Sequence, residues 1–256
     1  MDRTLVRLLY SFICAIILSS IFYGKANGQP LSAFTAKAWL VADIEGRILN
    51  GINTTDVRSI ASITKLITVM VVLDANQNLN EVISTKLHNR KLTRRELISL
   101  AIIKSDNTAA KLLCDNYPTG LNGCVQAMND KAHSLDMHNT RYVEPTGLYN
   151  DNVSTAEDLV KLVLAASKYP IINEDSNTDK ITMPVNKKKV AHFNNTNRLV
   201  GHGYEFIVSK TGWIRRSGGC IVMMMNTEKG IRTVILLGSK DTKTRIPEAK
   251  MIALAY

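Results

Sequence analysis

The segment 60–73 is apolar on nearly every side of a helix, and it constrains the fold more than any other part of the sequence. A bilayer span needs about 20 residues, so this shorter segment is expected to be a helix buried in the centre of the protein. Lys65 lies in its first turns. Because a lysine is costly to bury without a partner or a purpose, Lys65 is a candidate functional residue.

Strand-like patterns occur at both ends of the chain. Residues 38–43 and 47–50 predict a hairpin, and residues 206–210, 220–225 and 232–237 alternate with Gly-rich turns. The middle of the chain has helical patterns instead. We therefore predict an α+β fold: strands from both termini form one antiparallel sheet packed with helices, and an all-helical subdomain is inserted at about residues 80–180.

Polar residues mark where the predicted helices begin and end. Thr93 with Glu96, and Ser154 with Glu157, have the spacing of a capping box. The segment 105–107 interrupts the first of these helical regions, because its polar side chains compete for backbone hydrogen bonds. Further helices are predicted at residues 108–114, 121–134 and 242–255.

The N-terminus has the layout of a secretory signal. Arg3 and Arg7 precede an apolar run at 8–23, and small and polar residues follow at 24–28. An uncleaved membrane anchor is the alternative, although a run of about 16 residues is short for a bilayer span.

Cleavage after Ala26 and cleavage after Gly28 fit this layout equally well. We expect residues 1–28 to be removed, residues 29–256 to form one domain, and the mature chain to lack a transmembrane segment. Secretion across the inner membrane would place it in the periplasm.

The chain is basic, with a formal net charge of +10 that falls to about +8 without the signal. The charges are scattered and show no basic cluster with interleaved aromatics, so a nucleic-acid partner is not expected. An anionic polymer outside the cytoplasm fits the charge better.

Three cysteines remain after signal removal: Cys114, Cys124 and Cys220. Export permits a bridge between Cys114 and Cys124. However, both residues also fit apolar helix faces, and this interpretation is favoured over a disulfide. Cys220 lies in an apolar strand pattern and is expected to be a small core residue.

Ser62 and Lys65 are three positions apart on the predicted buried helix, so their side chains share one face. A serine hydroxyl needs a base to become a nucleophile, and a buried, neutral lysine can be that base. Two further triplets add to this pair. Residues 105–107 (Ser-Asp-Asn) break a helical region, and residues 210–212 (Lys-Thr-Gly) end a strand.

In this order the three triplets match the S-x-x-K, S-D-N and K-T-G signature of penicillin-binding proteins and class A β-lactamases. The chain resembles the small penicillin-binding proteins that are D-alanyl-D-alanine endopeptidases or carboxypeptidases, and segments 60–70, 139–148 and 194–199 are similar to the endopeptidases in particular. The resemblance implies a β-lactamase/transpeptidase-like fold and hydrolysis of peptidoglycan cross-links through an acyl-enzyme. It also implies covalent inhibition by β-lactams.

The resemblance also implies a role for each residue of the triplets. Ser62 would be the nucleophile, Lys65 its base, and Ser105 a proton relay to the leaving amine. The substrate-binding residues would be Asn107, Lys210, Thr211, Gly212 and Trp213. A positively charged Lys210 would help to keep Lys65 neutral, and the N–H groups of Ser62 and Trp213 would form the oxyanion hole.

Two other activities share this apparatus. A D-alanyl-D-alanine carboxypeptidase differs only in its leaving amine, and a class A-like β-lactamase differs in the rate of deacylation. The class A loop has the pattern Glu-Pro-x-x-Asn, whereas here Asn150 comes two positions late after Glu144 and Pro145. Rapid β-lactam hydrolysis is therefore not expected.

The scheme requires no metal and no cofactor. The five histidines do not form a two-histidine helix motif with an acidic partner, and they are interpreted as surface or structural residues.

Overall fold

The computed structural model describes residues 34–83, 91–186 and 189–256. The predicted signal at 1–28 lies outside these residues, and the helical subdomain at about 80–180 stays a prediction. In chain order the strands are β1 (Ala38–Ala42), β2 (Ile48–Ile52), β3 (Arg58–Ser59), β4 (Val82–Ile83), β5 (Leu92–Thr93), β6 (Val153–Ser154), β7 (Lys180–Asn186), β8 (Lys189–Asn194), β9 (Phe206–Ile214), β10 (Gly218–Thr227) and β11 (Gly230–Ser239). The α-helices are α1 (Lys65–Asp74), α2 (Arg94–Ser99), α3 (Asn107–Asp115), α4 (Gly120–Ser134), α5 (Ala156–Ala166), α6 (Pro170–Asn177) and α7 (Arg245–Ala255).

Strands from both ends of the chain form one five-stranded antiparallel sheet, in the order β2-β1-β11-β10-β9. The two termini meet where β1 pairs with β11, in a register that places Leu40 opposite Ile235. The α+β prediction is confirmed. Strand β9, which carries the Lys-Thr-Gly triplet, lies at one edge of this sheet.

Both faces of the sheet are covered. Side chains alternate between faces along a strand, so Leu40 belongs to a large core with α1, whereas Trp39 and Val41 belong to a second core with α7. Because both faces are buried, the central strands are apolar at nearly every position. The all-apolar segment that predicted a buried helix is α1, and eight of its ten residues are buried.

The capping predictions had mixed outcomes. Thr93 and Glu96 form the predicted capping box at the start of α2. The second prediction was wrong by one residue, because the Thr155 side chain, not that of Ser154, caps α5 by accepting from the Asp158 N–H. The Ser154 hydroxyl lies instead 2.7 Å from the Thr140 hydroxyl.

The expectation that Cys114 and Cys124 are free is also wrong. They form a disulfide between α3 and α4, with their Cα atoms 5.3 Å apart. Both residues are buried, as the apolar helix faces predicted. The sequence pattern therefore correctly predicted that both cysteines are buried. It did not predict that the apolar faces of α3 and α4 contact each other. Cys220 is buried and unpaired, as predicted.

Candidate active site

Ser62 lies in a 3₁₀ turn, Ala61–Thr64, that leads directly into α1. Ala61 has φ of 48°, a left-handed conformation that costs a non-glycine residue about 1–3 kcal/mol. Ser62 is half-buried, whereas Lys65 at the start of α1 is completely buried. The two side chains meet as predicted, with Lys65 Nζ 2.9 Å from Ser62 Oγ.

The Lys65 ammonium has three oxygen partners. Besides Ser62 Oγ, it donates to Asn107 Oδ1 at 2.7 Å and to the Thr146 carbonyl at 2.5 Å. Burial lowers the pKa of Lys65 to about 7, although the negative charges of Glu144 and Asp106 act to raise it. A lysine with this pKa can hold or release a proton near neutral pH.

The second triplet starts at a break between two helical segments. A π-helical turn, Leu100–Lys104, follows α2 and ends at Ser105, which has φ of 60°. Asp106 then caps α3, since its side chain accepts from the Ala109 N–H. Because Asn107 is the first residue of α3, the cap fixes its position beside Lys65.

The third triplet lies on the edge strand β9, and the prediction that it ends the strand was wrong, because β9 continues to Ile214. Lys210 is 1% exposed, and its Nζ donates to Ser105 Oγ at 2.8 Å. The Thr211 hydroxyl donates to Thr196 Oγ1 at 2.7 Å. Trp213 is 50% exposed at the end of the triplet, so its ring remains accessible beside the site.

The pKa of Lys210 is lower than the sequence led us to expect. Burial, together with the positive charges of Lys65 and Arg245, holds the pKa of Lys210 well below its usual range. The expectation was that a charged Lys210 keeps Lys65 neutral. In the structure burial is the main cause of the lowered pKa of both lysines, and the positive charge of Lys65 lowers the pKa of Lys210 further.

Gly212 allows β9 to approach the serine turn. A Cβ atom on this residue would lie 2.9 Å from Ser62 N and 3.0 Å from the Ile60 carbonyl oxygen, so a larger residue would push the two segments apart. The Gly212 carbonyl also accepts from Arg245 Nη1 at 2.6 Å.

The three triplets thus converge on one site. The Lys65–Asn107 hydrogen bond joins the first to the second, and the Lys210–Ser105 hydrogen bond joins the second to the third. The close approach of Gly212 to Ser62 joins the third to the first.

The loop that holds Lys65 from the other side was not predicted from the sequence. The Glu144 carboxylate accepts from the N–H groups of Thr146 and Gly147 and from Asn152 Nδ2. These contacts fix the Thr146 carbonyl that accepts from Lys65. Asn152 is completely buried and also donates to Thr64 Oγ1, so the loop is tied to the serine turn.

Gly147 is essential to this arrangement, and its replacement by alanine is predicted to destabilise the site. It has φ of 79°, and a Cβ atom would overlap the Ala61 carbonyl. We expect Gly147→Ala to lower the free energy of unfolding by about 2–4 kcal/mol, from the left-handed backbone and the overlap together. Chemical denaturation measures this change.

Gly203→Ala is the matched control, because Gly203 has φ of 82° but no atom within 4 Å of the position that a Cβ atom would occupy. Its free energy of unfolding should fall by only about 1 kcal/mol, which is the cost of the left-handed backbone conformation for alanine. Equal losses in the two variants would contradict the proposed overlap with Ala61.

Metal-ligating groups do not cluster at this site. Among residues 34–83, 91–186 and 189–256, no group of three or more His, Cys, Asp or Glu side chains could hold a metal ion. In the same part of the chain, no helix is long and apolar enough to cross a membrane.

Solved structures of known proteins resemble the fold. Penicillin-binding protein D2 from Listeria monocytogenes, in its ampicillin-bound form, has a TM-score of 0.77 at 26% sequence identity, over 88% of this chain and 98% of that chain. A variant of the Streptomyces K15 DD-transpeptidase has a TM-score of 0.80 at 24% identity, over 88% and 97% of the two chains, and supports the fold alone.

Sequence comparisons identify the family. A D-alanyl-D-alanine endopeptidase of Pseudomonas aeruginosa is 37% identical, over 96% of this chain and 85% of that protein. An Escherichia coli D-alanyl-D-alanine endopeptidase is also 37% identical, over 83% and 76%. Residues 24–86 and 76–240 match the peptidase S11 family, described as D-alanyl-D-alanine carboxypeptidase. The chain therefore belongs to the S11 family of serine-type D-alanyl-D-alanine peptidases, as its three triplets predicted.

Proposed function

We propose that the protein is a D-alanyl-D-alanine endopeptidase that hydrolyses peptidoglycan cross-links through an acyl-enzyme on Ser62. The observation that carries the proposal is the position of the buried Lys65 amine, 2.9 Å from Ser62 Oγ. A base within hydrogen-bond reach of a serine is what nucleophilic catalysis requires. Relatives that are 37% identical and bear the name endopeptidase support the choice of substrate.

In the acylation step, Ser62 Oγ would attack the carbonyl carbon of a D-alanyl peptide bond while neutral Lys65 accepts the hydroxyl proton. The C–N bond then breaks, and the leaving amine takes up a proton. Ser105 is our candidate for relaying that proton, because its hydroxyl accepts from Lys210 beside the serine turn. Water would then hydrolyse the ester and restore the Ser62 hydroxyl.

The remaining residues would bind the substrate. Asn107 would hydrogen-bond an amide of the substrate while its Oδ1 steadies Lys65. Lys210 and Thr211 would attract the carboxylate of the leaving residue or of a β-lactam. A bound carboxylate favours the charged form of Lys210, so substrate binding would oppose the low pKa of the free site.

Backbone donors are our candidates for the oxyanion hole. The N–H group of Ser62 lies against Gly212, and Trp213 follows on the same edge strand. Each such donor commonly contributes about 3 kcal/mol of transition-state stabilisation. The exposed Trp213 ring would line the groove for the substrate.

We propose that β-lactams are deacylated slowly, unlike in a class A β-lactamase, and the contacts of Glu144 support this. Its carboxylate accepts from Thr146, Gly147 and Asn152, within its own loop, and does not contact Ser62. It is therefore not positioned to activate a deacylating water. We predict that penicillin forms an adduct that persists, and that a chromogenic cephalosporin is turned over slowly. Rapid, catalytic colour change would contradict this prediction.

The β-lactam part of the proposal has support from relatives. Penicillin-binding protein D2 from Listeria monocytogenes has been solved with ampicillin and with cefotaxime bound. We propose that this protein is likewise inhibited covalently by β-lactams. We also propose that it acts in the periplasm after export, where peptidoglycan stems are its partner and no cofactor is needed.

Digestion of purified cross-linked muropeptides tests the proposed activity. An endopeptidase converts dimers to monomers, whereas a carboxypeptidase releases only terminal D-alanine. We expect loss of dimers, measured by chromatography and mass spectrometry. Release of D-alanine with the dimers intact would favour the carboxypeptidase instead.

A further inference from the structure

A cavity of roughly 1060 Å³ lies next to the active site, and its lining is strongly basic. The lysine and arginine side chains that line it are Lys104, Lys180, Arg198, Lys243 and Arg245. His192 and His202 also line the cavity, and Asp179 is the acidic residue of the lining. The excess of positive charge favours an anionic ligand.

Positive charge exceeds negative charge among the described residues that line this cavity, where Asp179 faces five lysine and arginine side chains. Within the part of the chain that the structure describes, none of the five lysine and arginine side chains has a carboxylate within 4.0 Å. The Nε atom of Arg245 is buried and has no hydrogen-bond partner among the described residues. Uncompensated cations repel one another, and a bound anion would relieve this repulsion.

Three lining residues connect the cavity to the active site. Lys104 directly precedes Ser105 in the chain. Thr196 accepts a hydrogen bond from Thr211, and Arg245 donates to the Gly212 carbonyl. The cavity therefore lies beside the Lys-Thr-Gly segment of β9, on the side to which we assign the carboxylate of the leaving residue.

We propose that this cavity binds the leaving peptide stem of a cross-link through its additional carboxylates, an inference that rests on the proposed endopeptidase function. A leaving D-alanine has one carboxylate, and Lys210 and Thr211 suffice for it. A leaving stem carries that carboxylate and further ones along the peptide. The five lysine and arginine side chains of the cavity match the longer, more anionic leaving group. The cavity would therefore favour cross-linked stems over terminal D-alanine as the leaving group.

The test measures three substrates with two double variants, which we call the cavity variant and the control variant and define in that order. Arg198 and Lys243 are exposed cavity residues outside the catalytic triplets, so Arg198→Glu with Lys243→Glu should fold normally. Lys168→Glu with Lys229→Glu makes the same change in net charge at exposed positions outside the cavity. The substrates are a cross-linked muropeptide dimer, a monomeric pentapeptide ending in D-alanyl-D-alanine, and penicillin.

We expect the cavity variant to lose about tenfold or more in kcat/KM for the dimer. Its acylation by penicillin, and any release of D-alanine from the monomer, should stay within about twofold of wild type. The control variant should match wild type on all three substrates. A dimer whose free carboxylates are amidated should also be a poor substrate for the wild-type protein.

Unchanged dimer cleavage by the cavity variant would overturn the subsite and leave the proposed function standing. Equal losses on all three substrates would overturn it too, because the cations would then act at the active site itself. If wild-type protein reacts with penicillin but cleaves no dimers, the endopeptidase function fails and this inference fails with it.

Discussion

Replacing Ser62 with alanine should abolish both the covalent penicillin adduct and muropeptide hydrolysis. Loss of a serine nucleophile in a serine hydrolase reduces kcat by roughly 10⁴–10⁶-fold, because the remaining groups cannot form the acyl-enzyme. Mass spectrometry of the protein after incubation with penicillin measures the adduct directly. Wild type should gain one drug mass on the peptide that contains Ser62, and the variant should gain none.

The variant should remain folded, which makes the result interpretable. Ser62 is half-buried, and Lys65 keeps its hydrogen bonds to Asn107 and Thr146 when the hydroxyl is removed. Ser134→Ala is the control, since the Ser134 hydroxyl is exposed and donates to the Lys131 carbonyl of its own helix. An adduct that persists in Ser62→Ala, on any residue, would show that the nucleophile has been assigned wrongly.

Replacing Lys65 with methionine should slow acylation by about 10²–10⁴-fold, the usual contribution of a positioned general base. Methionine has a similar length and is compatible with the buried position, but it cannot accept a proton. Stopped-flow or quench measurements with penicillin give the acylation rate constant. Thermal unfolding checks that the variant is folded.

Lys65→Arg separates the role of a base from that of a positive charge. Arginine stays protonated in proteins, so it retains the charge but cannot act as a base. We expect this variant to be as slow as Lys65→Met. Near wild-type acylation by Lys65→Arg would mean that the residue acts through its charge.

The pH dependence of wild-type acylation gives a second test of Lys65. Its pKa is lowered to about 7 by burial, so the neutral, active form gains population as the pH rises through about 7. The acylation rate should rise about tenfold per pH unit below this value and level off above it. Lys65→Met should lose this dependence, whereas a flat wild-type profile from about pH 5 to 8 would contradict the assignment.

The sequence predicted the fold well because its signals are local. The short apolar strand patterns at both ends and the all-apolar segment of α1 identify the sheet and the buried helix without knowledge of contacts. Capping was predictable to within one residue, since Ser154 and Thr155 are adjacent and both can cap a helix. The helix α6, which starts at Pro170, was missed because a proline can begin a helix as well as stop one.

The contacts that complete the site could not be predicted in this way. Glu144, Thr146 and Asn152 hold Lys65 and the serine turn through hydrogen bonds that cross about 80 positions of sequence. From the sequence, Glu144 resembles only the deacylating glutamate of the class A loop, and the late position of Asn150 does not fit that role. In the structure Asn152 is its partner, and the pair organises a loop.

The sequence by itself identified the candidate catalytic residues, because Ser62 and Lys65 are three residues apart on a predicted buried helix and the Ser-Asp-Asn and Lys-Thr-Gly triplets follow them in order. Only the tertiary structure decided the surroundings of these groups and therefore their pKa values. The lowered pKa values of Lys65 and Lys210, the disulfide between Cys114 and Cys124, and the basic cavity all arise where distant segments meet. Burial and electrostatic interactions depend on distances in space, and a local sequence pattern does not contain those distances.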